Sequence, residues 1–97
     1  MLLEGQDCRR FLQAMITADL NKLSTERALY AALLTPQGKF LDDFFLIQPR
    51  SDQPDSLWLD APKERLAPIA RRLAMYKVRA DIRARGLDPA RGLAHYQ

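Results

Sequence analysis

The chain has 97 residues, 47% of them hydrophobic and 28% charged, with a formal net charge of +3, a composition that leaves room for one compact soluble core and none for a second domain. No apolar run approaches the roughly 20 residues that span a bilayer, and Met1-Leu2-Leu3 runs straight into Glu4, Gly5 and Gln6 without the regions of a secretory signal; a cytoplasmic location is expected, or the mitochondrial matrix in a eukaryote. Cys8 is the only cysteine and His95 the only histidine, which excludes an internal disulfide and a thiolate-imidazole zinc site.

Asp7 is a candidate helix N-cap, and Phe11, Leu12, Met15 and Ile16 follow at helical spacing with Arg9, Arg10 and Gln13 opposite. This predicts a helix from about Cys8 to Met15. Thr17 to Thr25 suits an irregular connection or a short turn of helix. Ala28 to Leu34 and Lys39 to Gln48 are strand-like runs on either side of Thr35-Pro36-Gln37-Gly38, where proline suits the second position of a type I turn and glycine the fourth. Pro49 to Ser56 reads as a loop and Leu57-Trp58-Leu59 as a third strand, giving a meander. Pro62 to Tyr76 places Leu66, Ile69, Ala70, Leu73 and Tyr76 on one side of a helix. Pro68 sits either in the first turn of a helix starting near Arg65 or inside a longer one starting at Pro62. Val78, Ala80 and Ile82 alternate with Arg79, Asp81 and Arg83 as a half-buried strand would. Gly86 to Gly92 reads as loop, and Leu93 to Gln97 as the start of another strand. The sum is an α+β unit: a small, mostly antiparallel sheet, a hairpin plus two or more strands, packed with two helices.

The segment Phe40-Leu41-Asp42-Asp43-Phe44-Phe45-Leu46-Ile47 is apolar on both alternating faces apart from its twin aspartates. Such a strand is normally covered on both sides, and an unpaired carboxylate buried there would cost several kcal/mol. Two readings follow: a carboxylate at a strand end, or tied to a nearby arginine, and a pocket carboxylate with a raised pKa. With Pro36 and Gln37 as the loop, the hairpin register brings Tyr30 opposite Asp43, and a bulge at Gly38 would bring Ala31 there instead. In the first register Tyr30, Asp43, Phe45 and Ile47 share one face, an aromatic platform with one acid and an apolar floor, suited to a planar ligand with polar edges.

Cys8 lies near a helix N-terminus beside Arg9 and Arg10, an arrangement that lowers a thiol pKa, though an ordinary helix-start residue is the plainer reading. Arg65 to Gln97 carries eight basic and two acidic side chains against seven and ten in Met1 to Glu64. Arg71, Arg72, Lys77, Arg79, Arg83 and Arg85 form a cationic stretch with Tyr76 as its one interleaved aromatic and no glycine-rich phosphate loop. Its nucleic-acid signal is weak, and a solvated face is the better reading.

Several local patterns occur in order: Gly5-x-Asp7, Phe11-Leu12-Gln13, Thr17-x-Asp19, Tyr30 through Lys39, Asp43-Phe44-Phe45, and Arg72 through Arg79. Together they resemble the N-terminal segment of the YgfZ-like folate-binding proteins, relatives of the glycine-cleavage T-protein, aminomethyltransferase. The resemblance implies one partial T-protein-like folate-binding domain over residues 1–97, tetrahydrofolate or a derivative as cofactor, and a role in the assembly or repair of iron-sulfur proteins, its implied partners. It also implies that Asp43 and Tyr30 lie against the folate and that Phe45 and Ile47 line the same pocket. No catalytic residue and no metal ligand is singled out.

The family's Lys-Gly-Cys-Tyr-x-Gly-Gln-Glu motif has no counterpart in these residues, Ala18 stands where asparagine is usual, and of the usual opening strand only Met1-Leu2-Leu3 is present. The expectation is a fragment, a split gene product or a degenerate paralogue, and not a stand-alone enzyme. Two alternatives accompany the folate-binding module: an interaction or oligomerisation unit that pairs through an exposed sheet edge, and an aminomethyltransferase-like transferase with its later domains missing.

Overall fold

The computed structural model describes residues 1–77 and 79–86. Five strands, β1 (Leu2–Glu4), β2 (Leu29–Leu34), β3 (Phe40–Ile47), β4 (Ser56–Asp60) and β5 (Arg83–Arg85), form one sheet in the order β2-β3-β4-β1-β5. Every neighbouring pair is antiparallel. Two helices, α1 (Cys8–Met15) and α2 (Lys63–Tyr76), complete the α+β unit. The meander holds for β2, β3 and β4 only. Met1-Leu2-Leu3 begins a strand that lies between β4 and β5, with Leu3 fully buried and paired to Leu57 on one side and Ala84 on the other.

The core lies on one face of the sheet. Because side chains alternate along a strand, Ala31 and Leu33 of β2, Phe44 and Leu46 of β3, Leu57 and Leu59 of β4 and Leu3 of β1 point the same way, into one cluster with Cys8 and Leu12 of α1 and Leu66, Ile69 and Leu73 of α2. The opposite face is open, with Tyr30, Phe45 and Ile47 55%, 48% and 39% exposed. The expectation that β3 is covered on both sides is therefore corrected: both helices are spent on one face.

The β2–β3 turn has the predicted type I hydrogen bond, from the Gly38 amide to the Thr35 carbonyl at 2.9 Å. Its register differs from both predicted ones, since Ala32 stands opposite Asp43 and Tyr30 opposite Phe45. Two extra residues on β3 account for this. Gly38, at φ +89°, lets Thr35 face Lys39, and a second irregularity takes the pairing from Leu34 with Phe40 to Leu33 with Asp42, leaving Leu41 over. Each bulge slides the pairing by one and inverts the faces; two of them return the original face assignment. Tyr30 and Asp43 thus share a face although they are not directly opposed.

Helix α1 spans the predicted residues with Asp7 at its N-cap position, but the Asp7 side chain makes no capping hydrogen bond. Its carboxylate accepts from the Asp81 amide at 2.7 Å and from Arg10 at 2.7 Å, fastening the chain before α1 to the segment after α2. After α1, the Gln13 side chain donates to the Ala18 carbonyl at 2.8 Å and accepts from the Leu20 amide at 2.7 Å. Thr17 takes the Ala32 amide on its hydroxyl, and its own amide donates to the Ala32 carbonyl. With the Ile16–Leu33 bridge, this covers part of the β2 edge that the interaction alternative leaves exposed. Helix α2 follows the longer prediction, with Pro62 at its N-cap and Pro68 inside, where the ring removes one helical amide donor.

The strand predicted across Val78 to Arg83 does not form as such. Arg79 adopts φ +61°, which breaks an extended run, and Ala80 and Ile82 contribute to the core from irregular backbone before β5 begins at Arg83. Val78 and the loop and strand expected beyond Gly86 lie outside the described residues. No helix among them is long and apolar enough to cross a membrane.

Candidate functional site

On the open face, β2 supplies Tyr30 and β3 supplies Asp43, Phe45 and Ile47. The sequence's alternation brings all four to the same side of the sheet. The Tyr30 and Phe45 rings pack with centroids 5.3 Å apart at a 55° tilt, a favoured aromatic arrangement. The Tyr30 hydroxyl donates to Asp43 Oδ2 across the diagonal that the double bulge creates. The opposed pair Ile47 and Trp58 continues the same face onto β4.

Arg65, in the first turn of α2, completes the group. Its Nη1 donates to Asp42 Oδ1 and, at 2.9 Å, to Asp43 Oδ1. The last β3–β4 pair in this direction is Phe45 with Asp60. Beyond it β4 turns away through Ala61 and Pro62 into α2, leaving the start of β3 with a free edge that the guanidinium occupies. Asp42 and Asp43 point to opposite faces, so only a cation placed edge-on reaches both. Asp42 is nearly covered, its side chain 12% exposed, and the same Oδ1 accepts the Asp43 amide at 2.9 Å.

The electrostatics decide between the two readings of the doublet. Hydrogen bonds from Tyr30 first, and from Arg65 second, hold the Asp43 carboxyl below the usual carboxylate range, while the bond to Asp43 raises the Tyr30 phenol. Asp43 does not have the raised pKa of the second reading. The arginine-tied reading is the one realised, and at the same time Asp43 faces a cavity. That depression, about 510 Å³, is lined by Tyr30, Asp43, Phe44, Phe45, Asp60, Pro62 and Arg65. A second one of about 400 Å³ between α2 and β5 has Arg71 and Lys77 as its charged groups, and Lys77 already donates to the Ile82 carbonyl.

Cys8 is fully buried and its thiol is pushed up to about 12, chiefly by burial and secondarily by Asp55. The lowered thiol pKa suggested by Arg9 and Arg10 is not found, because burial and the Asp55 charge outweigh the lowering by Arg9, whose side chain bonds the Leu20 and Pro54 carbonyls and Gln48. In the cationic stretch, Arg83 pairs with Asp81 and Arg85 with Glu4. Among the described residues no group of three or more histidines, cysteines or carboxylates is placed to hold a metal ion.

Arg65 is the site residue that sequence reasoning did not single out. Two features point to it: the doublet demands a cation, and Arg65 is the first arginine after the strand neighbouring β3, one helical turn past Pro62. Ile47 lies on the same face but outside the depression lined by Tyr30 and Asp43.

No family model matches the chain. Over most of its length it is similar to curated fungal proteins: one from Aspergillus oryzae is 33% identical over 95 residues, covering 87% of this chain, and one from Neurospora crassa is 29% identical over 96 residues, covering 94%. A third, from Pyricularia oryzae, is 27% identical over 84 residues. Each bears the name iron-sulfur cluster assembly factor IBA57 homolog, mitochondrial. Those names stand against the cytoplasmic expectation and agree with the mitochondrial one. The chain spans about a fifth of the length of these relatives, 21% to 22%, and its similarity is to that part of a mitochondrial iron-sulfur cluster assembly factor.

Proposed function

We propose that this chain is a folate-binding-type module of a mitochondrial iron-sulfur cluster assembly factor, and that the open sheet face carrying Tyr30, Asp43 and Phe45 is one wall of its folate site, with Ile47 at the margin. The observation that carries this reading is the Tyr30–Asp43–Arg65 group beside an exposed aromatic pair. The assembly role rests on the relatives' names, and the folate on the family resemblance and on the fit of the residues.

That fit is chemical. A tetrahydrofolate would bring a planar pterin with N–H donors along one edge. Asp43 uses one lone pair of Oδ2 for Tyr30 and one of Oδ1 for Arg65; a carboxylate has about four such acceptor sites, so capacity remains for two donors. The tilted rings of Tyr30 and Phe45 offer apolar surface to a flat ring, and about 510 Å³ is within the usual range for a small-ligand site. Such sites cover most of a ligand's surface, whereas this wall covers one side, so weak binding is expected from the chain by itself.

Isothermal titration with folinic acid tests the reading. Weak saturable binding is expected, and Asp43→Asn, which keeps the shape and removes the charge, should lower affinity by about tenfold or more, the value of one charged hydrogen bond. No measurable binding, or equal binding by the variant, rejects it.

A further inference from the structure

We propose that Arg65 is the positioning residue of this site: one guanidinium nitrogen, shared between Asp42 and Asp43, holds Asp43 as an ionised acceptor aimed at the open face, so that the site takes ligands presenting an N–H donor edge. This rests on the folate-site reading and adds to it the device that sets the wall's hydrogen-bonding polarity.

The geometry behind it is unusual for neighbouring strand residues. Consecutive side chains on a strand point to opposite faces, and a shared partner normally cannot reach both. It does so here because β4 turns away after Asp60 and delivers the first turn of α2 to the vacated edge of β3. Arg65 Nη1 sits against Asp42 Oδ1, 2.9 Å from Asp43 Oδ1, and 3.4 Å from the Asp43 carbonyl. One side of the Asp43 carboxylate is thereby fixed at the strand edge, and Tyr30 fixes the other. Asp43 also lines the depression.

The charge balance explains why the arginine is needed. The charged and titratable groups around Asp43 are Tyr30 from β2, its neighbour Asp42 on β3, Asp60 from β4 and Arg65 from α2. Arg65 is the one cation in this set. Without it, two adjacent carboxylates repel, which raises the proton affinity of the Asp43 carboxylate. A protonated Asp43 would turn an acceptor into a donor on the oxygen that a ligand's N–H must meet, and the selectivity of the wall would invert.

The experiment compares Arg65→Gln and Arg65→Lys with the parent chain by three readouts: thermal unfolding, carboxylate 13C titration of Asp43, and folinic acid affinity at pH 7. Arg65→Gln is expected to move the Asp43 midpoint upward and weaken folinic acid about tenfold. Arg65→Lys keeps a charge on a flexible stem and should recover the midpoint in part. A third variant, Asp42→Asn, removes the second anchor while leaving the Arg65–Asp43 bond, and should keep the Asp43 midpoint low. A merely structural tie between β3 and α2 predicts lower unfolding temperatures with an unmoved Asp43 midpoint, and that result overturns the proposal. If folinic acid fails to bind the parent chain, the folate reading falls, and the carboxylate titration still decides whether Arg65 positions Asp43.

Discussion

Asp7 and Asp43 use their charge in parallel ways. Asp7 is held below the ordinary carboxylate range by the Asp81 amide first and Arg10 second, and Asp43 by Tyr30 and then Arg65. A carboxyl whose pKa is depressed in the folded chain contributes stability above its unfolded value, about 3.9, and loses it as pH falls through the lower folded value. The fold should therefore weaken as pH drops from about 4.5 toward 3. Urea midpoints at pH 6 and pH 3 are expected to differ less in Asp7→Asn than in the parent chain, and an equal difference would sink the assignment. Asp7 holds the N-cap position expected of an aspartate before an amphipathic run, but its side chain bonds elsewhere. Its real donor is 74 residues away, and a partner at that separation has no local signature.

At the scale of elements, two glycines join strands and helices under opposite constraints. Gly5, between β1 and α1, has φ +134°, and a Cβ there would run into the Asp81 carbonyl. Gly38 in the hairpin has φ +89° and open space around it. Gly5→Ala must both strain its backbone and displace the segment that Asp7 holds, costing at least about 2 kcal/mol. Gly38→Ala meets only the backbone penalty, about 1 kcal/mol. Equilibrium unfolding of the two variants checks that order, and equal costs would contradict the packing of Gly5 on Asp81.

The same joints give physical content to the motif residues on which the family resemblance rests. Gly5-x-Asp7 fastens the segment after α2, while Gln13, Thr17 and Asp19 satisfy the backbone between α1 and the β2 edge; Asp19 accepts the Asn21 amide at 2.9 Å. They hold elements together, and Tyr30, Asp43 and Phe45 lie elsewhere, on the open sheet face. Helix α1, the type I turn and the hairpin were legible because each rests on residues within one or two turns of chain. The double bulge was not. A one-residue slip costs little locally, and its position is chosen by which side chains the core accepts.

Across the whole molecule the apolar set converges on one face, with Cys8 fully buried in the cluster. Its thiol, at about 12, is above the usual 8.5 or so of an exposed cysteine. The neutral thiol is thus favoured in the fold, and this contribution is complete below about pH 8.5. It fades as pH rises toward the folded value, because the unfolded chain releases its proton first. Labelling by an aromatic disulfide at pH 8 should be slow in the native chain and accelerate with urea in step with the loss of circular dichroism. Rapid labelling without urea would show that the buried position of Cys8 is wrong.

The sequence alone determined the two helices, the hairpin strands and β4, the apolar faces that build the core, and the presence of a carboxylate, a tyrosine and two apolar side chains on one side of a hairpin, because strand alternation and helical spacing are local rules. Tertiary structure decided the rest. It placed β1 between β4 and β5, left the aromatic face open, and brought Arg65 to the edge of β3, 22 residues from Asp43. Each of those depends on which elements become neighbours, which is set by burying the shared core all at once and is written in no single segment.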